Sequence, residues 1–256
     1  MLRAKVAERG LGAGETFRWR GGEITRLEGF SDGVFAFAVT LLVVSLEVPR
    51  TFDQLLETMR GFVAFAICFL LLLFVWYGHY TFFRRYGLQT TAIAVLNGIL
   101  LFLVLFYVYP LKFLFTLVVD QLMGRGETVA LASGSVAPRI GPDQAPLLLT
   151  IYGAGYLAIS LTFALLYAYA YRARASLGLD RAETLATWAG IERYLLMGGV
   201  GVLSILVALL GGPDHTTLAG FTYLLLWLVL TPHGMARGRQ VRRERDTAPD
   251  VPVDSD

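Results

Sequence analysis

Six stretches of this chain, roughly 30 to 48, 61 to 83, 92 to 119, 147 to 171, 194 to 212 and 216 to 233, are apolar almost without interruption. About 20 such residues in a helix cross the hydrocarbon core of a bilayer, and each stretch meets or approaches that length. Lipid offers no hydrogen bonds to a bare backbone, so each stretch is expected to close its own bonds as a helix. The expected fold class is an all-α membrane protein with six transmembrane helices per subunit, its transmembrane domain spanning 23–234. Composition supports this: 16% of the residues are charged, against about 25% in an average soluble domain. The formal net charge of +2 is too small to argue for nucleic acid as a partner, and no basic run is interleaved with aromatics as a single-strand platform requires.

The remaining segments read as connections. Residues 1–22 are polar and glycine-rich, and 235–256 end in Thr-Ala-Pro-Asp-Val-Pro-Val-Asp-Ser-Asp. Both are expected to be flexible cytoplasmic extensions. The first apolar run is expected to remain as a span and not to be cleaved as a signal peptide. The stretch 120–146 reads as a long loop, and 172–193 as an amphipathic or interfacial helix. Basic residues gather ahead of the first span, at 84–91, at 172–193 and in the tail, whereas Arg50, Arg60, Arg125 and Arg139 occupy the alternate connections. Positive charge accumulates on the cytoplasmic side, so both termini are expected there. The chain is expected to be a multi-pass integral membrane protein.

Charge enters the first span at its threshold. Residues 26 to 32 read Arg-Leu-Glu-Gly-Phe-Ser-Asp, and a nearly unbroken apolar run follows. A carboxylate at membrane depth costs about 2.5 to 3.5 kcal/mol on insertion scales and is tolerated where partners or water meet it. Asp32 is expected to bind Arg26, the Ser31 backbone or a neighbouring helix. At 100° per residue, Phe30, Gly33, Phe37, Thr40, Leu41, Val44 and Val48 form one stripe, with Asp32 pointing well away from it. That stripe either packs against neighbouring helices, with Thr40 bonding back one turn, or lines an axial path. In the second case Thr40 offers a hydroxyl between apolar layers, and Glu47 stands at the outer mouth.

Further polar residues recur at similar depth. Trp76 and His79 share a face near the end of the second span, and Asn97 opens the third. Side chains of this kind join helices by hydrogen bonds. Pro110 is expected to kink the third span, and Lys112 to reach outward to the interface. Cys68 is the single cysteine, so no intramolecular disulfide or CxxC motif is available. The chain carries no P-loop, HExxH, GxSxG or dinucleotide fingerprint, and an enzyme is not expected. No metal site or cofactor is expected. Tyr152-Gly153-Ala154-Gly155-Tyr156 lacks the residue order of a carbonyl potassium filter.

With Arg26-x-x-x-Phe30-Ser31-Asp32 followed by Gly33-Val34-Phe35-Ala36-Phe37-Ala38-Val39-Thr40-Leu41-Leu42, Trp76-x-x-His79, Asn97 and Pro110, the chain resembles the bacterial single-repeat branch of the transmembrane protein 175 family. The animal member of that family is the lysosomal potassium channel. The resemblance implies passive, potassium-preferring cation conduction through a homotetramer with four first helices around the axis, and no carbonyl selectivity filter. It implies constriction layers at Phe37, at Thr40 with Leu41, and at Val44. The implied partners are further copies of the chain, the lipid bilayer, and potassium and other monovalent cations. The chain departs from the family at Phe37, where Ile or Leu is usual. Two other readings stay open on the residues alone: a proton-coupled secondary transporter using Asp32 and His79, and a structural membrane protein without transport.

Overall fold

The computed structural model describes residues 17–44, 50–124, 128–130 and 135–247. Among the described residues, eight α-helices run in chain order: α1 Arg26–Val44, α2 Phe52–Arg60, α3 Phe62–Tyr86, α4 Thr91–Leu122, α5 Ala145–Arg172, α6 Arg181–Gly211, α7 Thr216–Phe221 and α8 Leu225–Asp246. A short antiparallel hairpin, β1 Thr128–Ala130 with β2 Val136–Pro138, lies between α4 and α5. Among the described residues, five helical segments are long and apolar enough to cross a membrane: α3, α4, α5, α6 and the α7–α8 segment Thr216–Asp246. The expected first span is α1, whose apolar run continues into residues 45–49, outside the described ones.

Local sequence sets the helix ends. Thr25 and Glu28 form a capping box ahead of α1: the Glu28 carboxylate accepts from the Thr25 N–H at 2.9 Å, and the Thr25 hydroxyl accepts from the Glu28 N–H at 3.2 Å. Gly87 stops α3 in the left-handed conformation at φ 59°, its N–H donating to the Phe83 carbonyl, a turn that glycine makes without a Cβ penalty. Asp180 and Glu183 form a second capping box at the start of α6.

The core joins α1, α3, α4, α5 and α6 through Phe35, Ala38, Leu42, Cys68, Phe82, Leu100, Phe163, Tyr167 and Tyr194. Gly155 makes one close approach possible. A Cβ there would sit 1.7 Å from the Tyr107 ring, whose hydroxyl donates to the Tyr152 carbonyl and accepts from the Gly155 N–H.

Several boundaries differ from those read off the chain. The stretch 172–193 is not a separate interfacial helix: α6 is continuous from Arg181 through the fifth apolar run. The last helix continues past residue 234 to Asp246. Phe17 to Gly22 pack against the body. Phe17 is 1% exposed and meets Tyr86 edge-on, while the Arg20 guanidinium grips Glu183 and the Leu177 and Gly178 carbonyls. Lys112 does not reach outward; its Nζ donates to the Leu42 carbonyl of α1 at 3.3 Å. α4 runs through Pro110 without interruption, and the Tyr152 hydroxyl donates to the Pro110 carbonyl.

Behind the Arg20–Glu183 pair, the buried Tyr86 hydroxyl donates to Thr187 at 2.9 Å, and Thr187 donates to the Glu183 carbonyl. Tyr86→Phe leaves Thr187 without that donor but keeps the ring packing. The expected loss is about 1 kcal/mol, read as a fall of a few degrees in the detergent unfolding midpoint.

Candidate functional site

α1 has two faces. Ser31, Phe35, Ala38 and Leu42 are buried at 0 to 4% exposure. They recur at the spacing of one helix face and turn it toward α3 and α4. The opposite side is open within the single subunit: Gly29, Phe30, Gly33, Ala36, Phe37, Thr40 and Val43 are exposed, with Phe37 at 55%.

A buried polar chain fixes which side is which. His79 of α3 donates from Nε2 to Asn97 Oδ1 of α4 at 2.8 Å. The Asn97 amide donates to the Ser31 hydroxyl of α1 at 2.9 Å, and Ser31 donates to the Leu27 carbonyl at 2.8 Å. These three side chains are at most 2% exposed. Every polar atom in the chain from His79 Nε2 to Leu27 O has a partner, as burial demands. Phe35 and Phe83 flank the imidazole at 5.7 and 4.6 Å. Thr40 lies nine residues after Ser31, which at 100° per residue is half a turn away. Docking Ser31 on Asn97 therefore points Thr40 outward.

The three-helix polar layer expected from Asp32, His79 and Asn97 is present, but Ser31 takes the α1 position in it. Asp32 lies at the edge of the open face and accepts a hydrogen bond from the Trp76 indole at 2.9 Å. Of the expected partners for Asp32, the neighbouring helix is the one realised. The Trp76 ring stacks on Tyr80 at 5.6 Å. Arg26 and Phe30 are exposed on the first turns of α1.

Of the stripe residues, Phe37 and Thr40 stand on the open face, the Thr40 hydroxyl donating to the Ala36 carbonyl at 3.0 Å. Leu41 is half-buried against the core, so the open face is centred nearer Phe37, Thr40 and Val43. The Val44 side chain and Glu47 lie outside the described residues. Among the described residues, no group of three or more metal-ligating side chains forms.

Sequence reading missed two features of this region. The Thr25–Glu28 box that starts α1 has a visible spacing signal. The Lys112 bond to α1 has none, because it joins residues 70 apart.

Comparison with known proteins gives a consistent set of relatives. A family model described as the endosomal/lysosomal potassium channel TMEM175 matches residues 26–107, which contain α1, the polar chain and Trp76. A protein of Marivirga tractuosa named as a potassium channel is 40% identical over 245 residues, covering 93% of this chain and 98% of that protein. A potassium channel of Chamaesiphon minutus is 31% identical over 156 residues, covering 58% of this chain and 66% of its own. Among solved structures, a crystal structure of a variant of the potassium channel MtTMEM175, in complex with a nanobody–MBP fusion protein, superposes with a TM-score of 0.75. It has 39% sequence identity and covers 91% of this chain and all of that one.

Proposed function

The chain belongs to the TMEM175 potassium-channel family, and from that premise we propose that it is an integral membrane protein conducting potassium passively. The conducting unit is a homotetramer with six spans per subunit, α1 as the first, and both termini cytoplasmic. Four copies of α1 surround the axis. No carbonyl filter takes part.

The open face of α1 supports this reading most. It carries Phe37, Thr40 and Val43 in the middle of an apolar helix, opposite a face fixed by the Ser31–Asn97–His79 chain. One helix cannot enclose a pore, whereas cyclic repetition of the same helix can. In that arrangement the Phe37 ring gates by dewetting, and the Thr40 hydroxyls supply oxygens that replace part of the ion's hydration shell. Leu41 and Val44 complete the constriction, and a ring of Glu47 concentrates cations at the outer mouth. The signature residues act differently: Asp32 with Trp76, and Ser31 with Asn97 and His79, hold α1 in its rotation. Asp32 and His79 each bond elsewhere and not to one another, which speaks against a proton relay between them.

Potassium and sodium fluxes into liposomes, measured beside the mass of the purified oligomer, test the reading. The expected result is potassium flux above sodium flux from a tetramer; a folded protein that passes neither ion refutes it. Thr40→Ala is expected to shift the reversal potential under a potassium–sodium gradient toward the non-selective value, with the tetramer intact. An unchanged reversal potential would remove Thr40 from the selectivity mechanism.

A further inference from the structure

The last helix changes character along one side. α8 is held on α6 through His233, Arg237, Val241 and Glu244. His233 Nε2 donates to Glu192 at 2.9 Å, Arg237 Nε donates to the same carboxylate at 2.7 Å, Val241 is 7% exposed, and Arg181 pairs with Glu244 at 3.0 Å. These positions follow one another at helical spacing, so they fix the rotation of α8 beyond its apolar part.

At 100° per residue the opposite side carries Leu228, Met235, Arg239 and Arg242, with Arg243 beside them. Leu228 is 72% and Met235 56% exposed, as expected of residues that face lipid tails. Arg239, Arg242 and Arg243 are exposed on the same side. Asp246 ends the stripe. The direction that faces lipid within the bilayer is thus kept, and the residue type switches from apolar to arginine.

The depth of the switch suits a headgroup. Trp188 donates its indole N–H to Glu192 at 2.8 Å, is 43% exposed and packs 5.3 Å from Tyr171. Exposed Trp beside Tyr belongs to the interfacial belt, and it marks that level on α6 where α8 docks. At 1.5 Å per residue, Arg239 stands about 6 Å and Arg242 about 10 Å beyond Met235. The headgroup layer is roughly 5 to 8 Å deep on each side, and an arginine side chain spans the remainder.

We propose that Arg239, Arg242 and Arg243 form a binding site for the phosphate of an anionic phospholipid in the leaflet from which α8 emerges. Guanidinium groups match phosphate oxygens in pairs, and a basic cluster just outside a span is attracted to anionic lipid. The site requires only that α8 cross the membrane; it does not depend on ion conduction.

The test uses the full chain in phosphatidylcholine vesicles with 20 mol% phosphatidylglycerol, comparing the association of spin-labelled phosphatidylglycerol and phosphatidylcholine by electron spin resonance. The wild type is expected to favour phosphatidylglycerol by about threefold or more, and less so as salt is raised. R239Q/R242Q/R243Q is expected to lose that preference, and R239K/R242K/R243K to keep most of it. No preference in the wild type, a preference independent of salt, or an undiminished preference in the glutamine variant would overturn the site. So would its abolition by millimolar inorganic phosphate at constant ionic strength, which would assign the arginines to a soluble anion.

Discussion

Phe37→Ala is expected to raise potassium flux through the reconstituted protein by about tenfold or more, equivalent to removing about 1.4 kcal/mol from the permeation barrier. Phe37 is 55% exposed on the open face of α1. In a four-fold arrangement its rings meet near the axis, where a narrow apolar layer sheds water and an ion must cross without it. Alanine leaves room for hydrated passage. Phe37 lies outside the buried core cluster of the subunit, so expression and unfolding midpoint should stay near wild type. Initial rates of potassium-driven flux in liposomes at matched protein load provide the measurement. A flux equal to or below wild type, with an intact oligomer, would mean that Phe37 does not constrict the path.

Asn97→Leu is expected to destabilise the fold by about 1 to 3 kcal/mol. The side chain is 1% exposed and bonds both His79 and Ser31. Leucine fills the volume but leaves His79 Nε2–H and the Ser31 oxygen facing apolar atoms, each a desolvated group without its partner. Hydrogen bonds between membrane helices average less than this, because partly unfolded helices find other partners; the upper half of the range therefore requires that both orphaned groups stay dry. The double variant Asn97→Leu with His79→Leu removes the donor as well and should recover part of the loss. Unfolding midpoints in detergent measure both effects. A double variant less stable than the single one by the full cost of His79→Leu would show that the two side chains are not coupled.

Much of this was legible in the chain. The apolar runs fix the helices because lipid leaves the backbone no other solution. Asp32, His79 and Asn97 could be placed in one layer by counting turns. Which residue meets which could not. Ser31 and Asp32 are adjacent and 100° apart, and only the packing rotation of α1 sends the first to Asn97 and the second to Trp76. The polar ends of α6 and α8 were obscured for a different reason. Their polar residues look like connections, yet Glu183 is satisfied by Arg20 and Glu192 by Arg237, partners 163 and 45 residues away. Hydropathy records where a helix crosses lipid and is silent on where it continues beyond.

The same reasoning applies to the N-terminal segment. Glycine and charge before residue 22 argue for a solvated extension, but Phe17 fills a pocket beside Tyr86, and Arg20 and Gly21 donate their N–H groups to the Arg84 carbonyl. Phe17, Arg20 and the bonds of the Gly21 and Gly22 carbonyls to Arg84 dock a polar stretch whose average composition argues against it.

The identity of the pore wall can be tested by silver-ion block of cysteine variants in a Cys68→Ala background, recording potassium currents from reconstituted protein. Cys68 is fully buried among the helices, so its removal clears the background thiol. Thr40→Cys and Phe37→Cys are expected to be blocked by silver applied to the open channel, whereas Ala38→Cys, on the buried face of α1, is expected to conduct unblocked. Block at Ala38 with none at Thr40 and Phe37 would contradict the assignment of the open face of α1 to the ion path.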